Sequence, residues 1–157
     1  MTESEKVRLL FDREQIRETV YRYPVSIDTR DWKLFRSIFT DEIEVFLGAA
    51  ARANRPLQRV KADDFTHSVT AVITSFSVTQ HMLSDYHIEV KGDEASCLCY
   101  MYARHFPPQD RPAQAIWDLG GHYIYDLKRD GDGWKIPKYK LIVTWETNRP
   151  SDLKIDL

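Results

Sequence analysis

Three side chains in this 157-residue sequence, Asp28, His81 and His105, have the types that move protons. A carboxylate that holds an imidazole by one nitrogen leaves the other nitrogen free to accept a proton. A second imidazole can then hold water or return the proton. Taken singly, none of the three is distinctive. Asp28 follows the apolar stripe Ile16, Val20, Tyr23 and Ile27 by one residue, where a carboxylate also suits a turn between two helices. A histidine among apolar neighbours is more often a hydrogen-bonded core residue than a base. Together, each at the border of an apolar face, they match the parts list for proton abstraction.

The elements that must position them follow from the hydrophobic period. A first helix is expected from about Asp12 to Ile27, after a polar arm or frayed first turn over residues 1 to 10. Pro24 lies inside it and threatens a kink that would re-aim Asp28. Asp31 is a good N-cap for a short helix from Trp32 to Ile38. Glu42 to Leu47 alternates as a strand does, and Gly48 to Val60, with Arg52, Arg55, Arg59 and Pro56, is expected to be a loop. A third helix is expected from Lys61 to Phe76, capped by Asp63 or Asp64.

From Ser77 the period changes to two. The runs Ser77 to Val90, Ala95 to Phe106, Ala115 to Lys128 and Trp134 to Thr147 are separated by turn-rich breaks. Ala95, Cys97, Cys99, Met101, Ala103 and His105 share one face of their strand, and Trp117, Leu119, Gly121, Tyr123, Tyr125 and Leu127 share one face of the next. Helices followed by long strands with hairpin-like breaks predict one α+β domain over residues 1–157: a strongly bent, mostly antiparallel sheet closed by about three N-terminal helices.

Composition narrows the function classes. Hydrophobic residues make up 43% and charged residues 29%, an ordinary globular balance. A net charge of -2 gives no electrostatic case for nucleic acid or an anionic membrane. No apolar run approaches a membrane span and the N-terminus lacks a signal-peptide core, so a cytoplasmic protein is expected. Cys97 and Cys99 lie two apart, which suits small core fillers and not a C-x-x-C redox or zinc site. The histidines lack the i, i+3 or i, i+4 pairing of a helical metal site, and no metal or cofactor is expected.

The run Ile27-Asp28-Thr29-Arg30-Asp31-Trp32, then Thr79-Gln80-His81, then His105 at a strand end, then Gly133-Trp134-Lys135-Ile136 resembles scytalone dehydratase. More broadly it resembles the SnoaL-like branch of the NTF2-like α+β cone proteins, from about residue 11 to residue 145. The resemblance implies the cone fold, with Asp28, His81 and His105 in the places of that enzyme's acid–base aspartate and two histidines. It also resembles the dehydrochlorinase of the same fold, whose aspartate–histidine dyad falls on Asp28 and His81. The carbonyl-polarising tyrosines do not carry over. Ile27 stands before the aspartate, Phe46 or Leu47 lies near the second position, and Gly121 and Tyr123 fall where a serine and an asparagine are found. The base is therefore retained while the electrophilic half is rebuilt or gone, and scytalone is not the expected substrate.

Two readings follow. One is a cofactor-independent lyase, dehydratase or isomerase acting on a hydrophobic, cyclic small molecule. In it Asp28 orients His81 as base, and Tyr23, Trp32, Met101, Tyr102, Trp117 and Tyr123 bind the ligand. The other is a non-catalytic binding module or scaffold resembling the small subunit of ring-hydroxylating dioxygenases. An outer sheet face carrying Ile116 and Ile124 needs cover, and related enzymes are trimers or dimers, so a homo-oligomer is expected, with a trimer preferred.

Overall fold

The computed structural model describes residues 1–111 and 114–153. In chain order the elements are α1 (Glu3–Thr29), α2 (Trp32–Ser37), β1 (Phe39–Ala49), a 3-10 turn (Ala50–Arg52), β2 (Gln58–Lys61), α3 (Ala62–Ile73), β3 (Val78–Lys91), β4 (Glu94–Phe106), β5 (Trp117–Asp130) and β6 (Gly133–Thr147).

Helix α1 starts well before the expected Asp12. Thr2 and Glu5 form a capping box: the Thr2 hydroxyl accepts from the Glu5 amide and the Glu5 carboxylate accepts from the Thr2 amide. Asp12 is instead a buried mid-helix residue, gripped at 2.9 and 3.0 Å by the Arg129 guanidinium. The helix also runs through Pro24 to Thr29, so Asp28 belongs to its last turn and does not follow its end. Asp31 caps α2 by accepting from the Leu34 amide at 2.9 Å. Helix α3 has Lys61 at its N-cap position, with no side-chain cap. Asp63 and Asp64 lie inside the first turn, where their charge complements the helix dipole but closes no cap. The expected loop after Gly48 is partly ordered, because β1 continues to Ala49 and β2 pairs antiparallel with it, Ile43 opposite Val60.

The sheet has six strands in the order β2-β1-β6-β5-β4-β3. Every pairing is antiparallel except β1 with β6, which makes the sheet mixed. Register shifts between Ser84 and His87, Gly120 and Gly121, and Asp126 and Lys128 mark bulges, which raise the local twist and bend the sheet around its concave face. The helices pack on that face, with α1 against β3 and β6. This is the α+β cone expected of the chain; its sheet is bent but not closed.

Strand parity sorts the residues. The odd-numbered residues of β4 from Ala95 to His105 are buried, as are those of β5 from Trp117 to Leu127. Cys97 and Cys99 are both buried and free. At one end the concave face is filled by aromatic rings: Tyr23, Phe35, Phe65, Tyr123, Tyr125 and Tyr139 are all nearly or fully buried. Neighbouring centroids there lie 5.1–6.2 Å apart. The convex face carries a second, exposed aromatic set, in which Tyr102 lies against Trp145 at 5.8 Å. The Trp145 indole covers Gly120, where an added Cβ would sit 2.4 Å from its ring nitrogen. At Gly121 a Cβ would meet the Ile142 carbonyl oxygen at 1.9 Å, so β5 and β6 approach too closely there for any side chain.

Candidate active site

The register places the three proton-handling residues together. His81 on β3 lies opposite Ala103 of β4, and Thr79 lies opposite His105, which in turn lies opposite Trp117 of β5. All point to the concave face, and the last turn of α1 brings Asp28 across from them. One Asp28 oxygen, Oδ1, lies 2.7 Å from His81 Nδ1 and accepts from the Thr79 hydroxyl at 2.9 Å. The other, Oδ2, accepts from the His81 backbone amide at 2.7 Å. Two donors from one residue fix both the position and the rotation of the carboxylate.

The electrostatics assign the protons. Burial works to raise the Asp28 pKa, but the hydrogen bond and charge of His81, its backbone amide and the Thr79 hydroxyl hold it below the ordinary carboxylate value. An ionised Asp28 has no proton to offer, so the shared hydrogen rides on His81 Nδ1. In the neutral ring Nε2 is then the free base, on the side away from Asp28. The His81 side chain is 6% exposed and lines the cavity beside the helices.

His105 lies edge-on to His81, with ring centroids 5.2 Å apart. It is sandwiched between Trp117 at 4.5 Å and Phe76 at 4.9 Å. Burial, and then the neighbouring His81 charge, push its pKa down to about 3, against a weaker upward pull from the Trp117 carbonyl and Asp28. His105 is therefore neutral near pH 7. Its buried Nδ1 has no protein partner among the described residues. A neutral ring with an unpartnered nitrogen is suited to holding a water or ligand oxygen, and poorly suited to delivering a proton.

The cavity measures about 770 Å³ and opens between α3, the strand ends of β4 and β5, and the segments around Arg111 and Asp152. Its wall includes Tyr23, Met101, Trp117 and Tyr123. Trp32 and Tyr102 are corrections. Trp32 stands on the first turn of α2 and packs its half-buried ring near Phe35 at 6.2 Å, away from the lining. Tyr102 has the opposite parity to Met101 and His105, so it faces outward to Trp145. Sequence periodicity did not single out the α3 wall, Val69, Val72 and Ile73, because that stripe is indistinguishable from a core-facing one until the cavity is seen. It also gave no role to Thr79 or Arg30. Arg30 donates to the Ile27 carbonyl at 2.9 Å, to Thr79 Oγ1 at 2.8 Å and to the Phe76 carbonyl at 3.4 Å.

Among the described residues no group of three His, Cys, Asp or Glu side chains is placed to hold a metal ion. No described helix is long and apolar enough to cross a membrane.

Known proteins share this architecture. The chain is 27% identical over 141 residues to terrestric acid biosynthesis cluster protein E of Penicillium crustosum, covering 87% of this chain and 85% of that one. The Kfla4162 protein of Kribbella flavida superposes with a TM-score of 0.81 at 24% identity, covering 89% of this chain and 95% of its own. A candidate scytalone dehydratase from Novosphingobium aromaticivorans superposes with a TM-score of 0.75 at 21% identity, covering 96% and 93%. These likenesses establish the NTF2-like fold. The SnoaL-like domain model matches residues 8–140, most of the chain and both halves of the Asp28–His81 contact, and the protein therefore belongs to the SnoaL-like family.

Proposed function

We propose that this protein is a cofactor-independent acid–base enzyme, a lyase, dehydratase or isomerase, acting on a hydrophobic cyclic small molecule. The observation that carries the reading is the His81 ring at the wall of a largely apolar cavity, held from behind by the ionised Asp28 carboxylate that Thr79 and the His81 amide lock in place. In this mechanism His81 Nε2 takes a proton from a carbon next to a carbonyl or a leaving group. Asp28 holds the ring and stabilises the imidazolium that forms. The electron pair released from the C–H bond expels the leaving group or moves toward the carbonyl oxygen. His105, neutral, holds the water or departing oxygen. Met101 and Trp117 supply apolar and stacking contact, and Tyr23 and Tyr123 border the same space.

One relative is named as a terrestric acid biosynthesis cluster protein and a neighbour of the same fold as a candidate scytalone dehydratase, names in keeping with chemistry on a small molecule. An open cavity also argues against a pure scaffold, which would be expected to fill its cone.

The test begins with mass spectrometry of a small-molecule library retained by the purified protein, followed by turnover assays on the hits. His81→Ala should lose ~10² to 10⁴ in rate. Asp28→Asn keeps the shape but risks the wrong tautomer, and the double mutant should be hardly worse than His81→Ala. Full activity in His81→Ala would end this mechanism.

We further propose that a second copy of the chain covers the convex face, where Met82, Tyr100 and Trp145 are 46%, 56% and 48% exposed. A dimer or trimer by light scattering at micromolar concentration supports this, and a monomer contradicts it.

A further inference from the structure

Arg30 holds a backbone conformation that its residue type disfavours. It ends α1 in the left-handed region, with φ 61° and ψ 27°. That position is ordinarily filled by glycine, because a Cβ is strained there. An arginine at this point is explained if its side chain does something a glycine cannot. The side chain is in fact used at every reach. Its guanidinium binds the last turn of α1 at the Ile27 carbonyl, the approach to β3 at the Phe76 carbonyl, and the Thr79 hydroxyl oxygen.

The Thr79 contact has a chemical consequence. A threonine hydroxyl has one hydrogen and can otherwise rotate to suit its surroundings, while a guanidinium only donates. With Arg30 Nη1 donating to Thr79 Oγ1, one lone pair of that oxygen is taken and the rotation of its O–H is restricted. The Thr79 proton must then go to an acceptor, and Asp28 Oδ1 stands 2.9 Å away. Asp28 Oδ1 thus receives two donors and Oδ2 one, an arrangement in which the carboxylate has no freedom to turn and His81 has no alternative tautomer.

We propose that Arg30 is a positioning residue for the Asp28–His81 pair, acting through Thr79: it commits the Thr79 proton to Asp28 and so fixes the carboxylate's orientation and the histidine's proton on Nδ1. The inference takes the site from the proposed function but does not require that the site turn over a substrate. The charged and titratable groups that face Asp28 are Arg30 from its own helix, His81 from β3, His105 from β4 and Tyr123 from β5. Of these only Arg30 carries a fixed positive charge. Its effect must therefore be separated into charge and hydrogen-bond geometry.

The experiment uses the full chain without ligand. The Asp28 carboxyl is titrated by ¹³C NMR and the His81 ring by ¹⁵N NMR, with melting temperatures alongside. The variants are Arg30→Gly, Arg30→Lys, Thr79→Val and Thr79→Ser. Arg30→Gly suits the backbone and should melt within a few degrees of the parent. Arg30→Gly and Thr79→Val should each move the Asp28 midpoint to higher pH, by about tenfold in proton affinity, the worth of one charge-assisted hydrogen bond. Arg30→Lys keeps the charge but cannot fork among three oxygens, so its shift should be intermediate. Thr79→Ser keeps the hydroxyl and should restore the parent titration. An unmoved Asp28 midpoint and unchanged His81 ring signals in Arg30→Gly would overturn the proposal and leave Arg30 a mere staple of the helix end. Should Arg30→Gly not fold, unchanged midpoints in both Arg30→Lys and Thr79→Val would overturn it equally. If no substrate is ever turned over, the enzymatic reading fails while these titrations stand. If one is, Arg30→Gly should lower kcat with KM little changed.

Discussion

The two ends of the concave sheet face are built by the same alternation and finish in opposite states. At one end β5 contributes Tyr123 and Tyr125, β6 contributes Tyr139 and α1 contributes Tyr23, and the space is solid with rings. Even the hydroxyls are internal, with Tyr23 and Tyr139 sharing a hydrogen bond of 2.7 Å. Burial raises the pKa values of these phenols, so they remain protonated. At the other end the same strands offer Gly121 and Leu119, opposite Met101 and Ala103, and a cavity remains. Side-chain volume at alternate positions thus decides where the cone is core and where it is pocket. The aromatic end carries the stability, and the open end is free to carry polar groups that a packed core would penalise.

The largest change that would break this division is at the solid end. Tyr139→Ala removes a fully buried ring in contact with four others and leaves the Tyr23 hydroxyl without its partner. It should cost ~3–5 kcal/mol, lowering the melting temperature by about 10 °C or more. A loss of only a degree or two would mean that the rings are not the keystone.

Filling the open end should do the reverse. Ala103→Leu puts three more carbons beside His81 at a buried position that lines the cavity, where they gain apolar contact and take up its space. Stability should change by no more than about 1–2 kcal/mol. The affinity for any retained ligand, measured by calorimetry, should drop at least tenfold. Unimpaired binding would place the ligand elsewhere.

The smallest of these effects sharpens the comparison through pH. His105 stays neutral in the folded protein down to about pH 3, whereas in the unfolded chain it titrates near its ordinary value. As the pH falls below ~6.5 the unfolded state takes up a proton that the folded state refuses, so stability falls by up to ~1.4 kcal/mol per pH unit until about pH 3. Asp28, with its lowered pKa, adds its own loss only as the pH falls below the usual carboxylate value. His105→Phe, which keeps a ring between Trp117 and Phe76, should therefore flatten the stability curve between pH 6.5 and 4.5. Parallel curves for the two proteins, in denaturant titrations, would contradict the buried neutral histidine.

Much of this architecture is legible in the sequence because a period of two is unambiguous over long strands. Parity alone orients Met101, Trp117, Tyr123 and His105 toward one face, and the same rule excludes Tyr102. Helix limits were less legible. The Thr2–Glu5 capping box is written in the first five residues, but in the turns that follow Val7, Leu10 and Phe11 stay exposed among charges and form no core-facing stripe to announce a helix. Asp63 and Asp64 look like caps, yet a lysine takes the N-cap position. The aspartate–histidine contact rests on residue types at the borders of apolar faces and on likeness to other proteins, because residues separated by more than fifty positions in sequence carry no local signal of contact. Arg30 was visible as a letter in a run, but the reach of a long side chain from a left-handed backbone has no sequence signature.

The double glycine of β5 bears on how such a protein diversifies. Gly121 borders the open end, yet any side chain there would strike the Ile142 backbone, and Gly120 is roofed by Trp145. A lineage changing its ligand cannot do so by a single substitution at either glycine without breaking the β5–β6 seam. Variation is channelled to β4 and α3, at Met101, Ala103 and Val72, where new side chains alter the shape of the space and leave the sheet intact. Descendants with different chemistries should then differ at those positions while keeping the glycine pair, a pattern that laboratory evolution of this chain would reproduce.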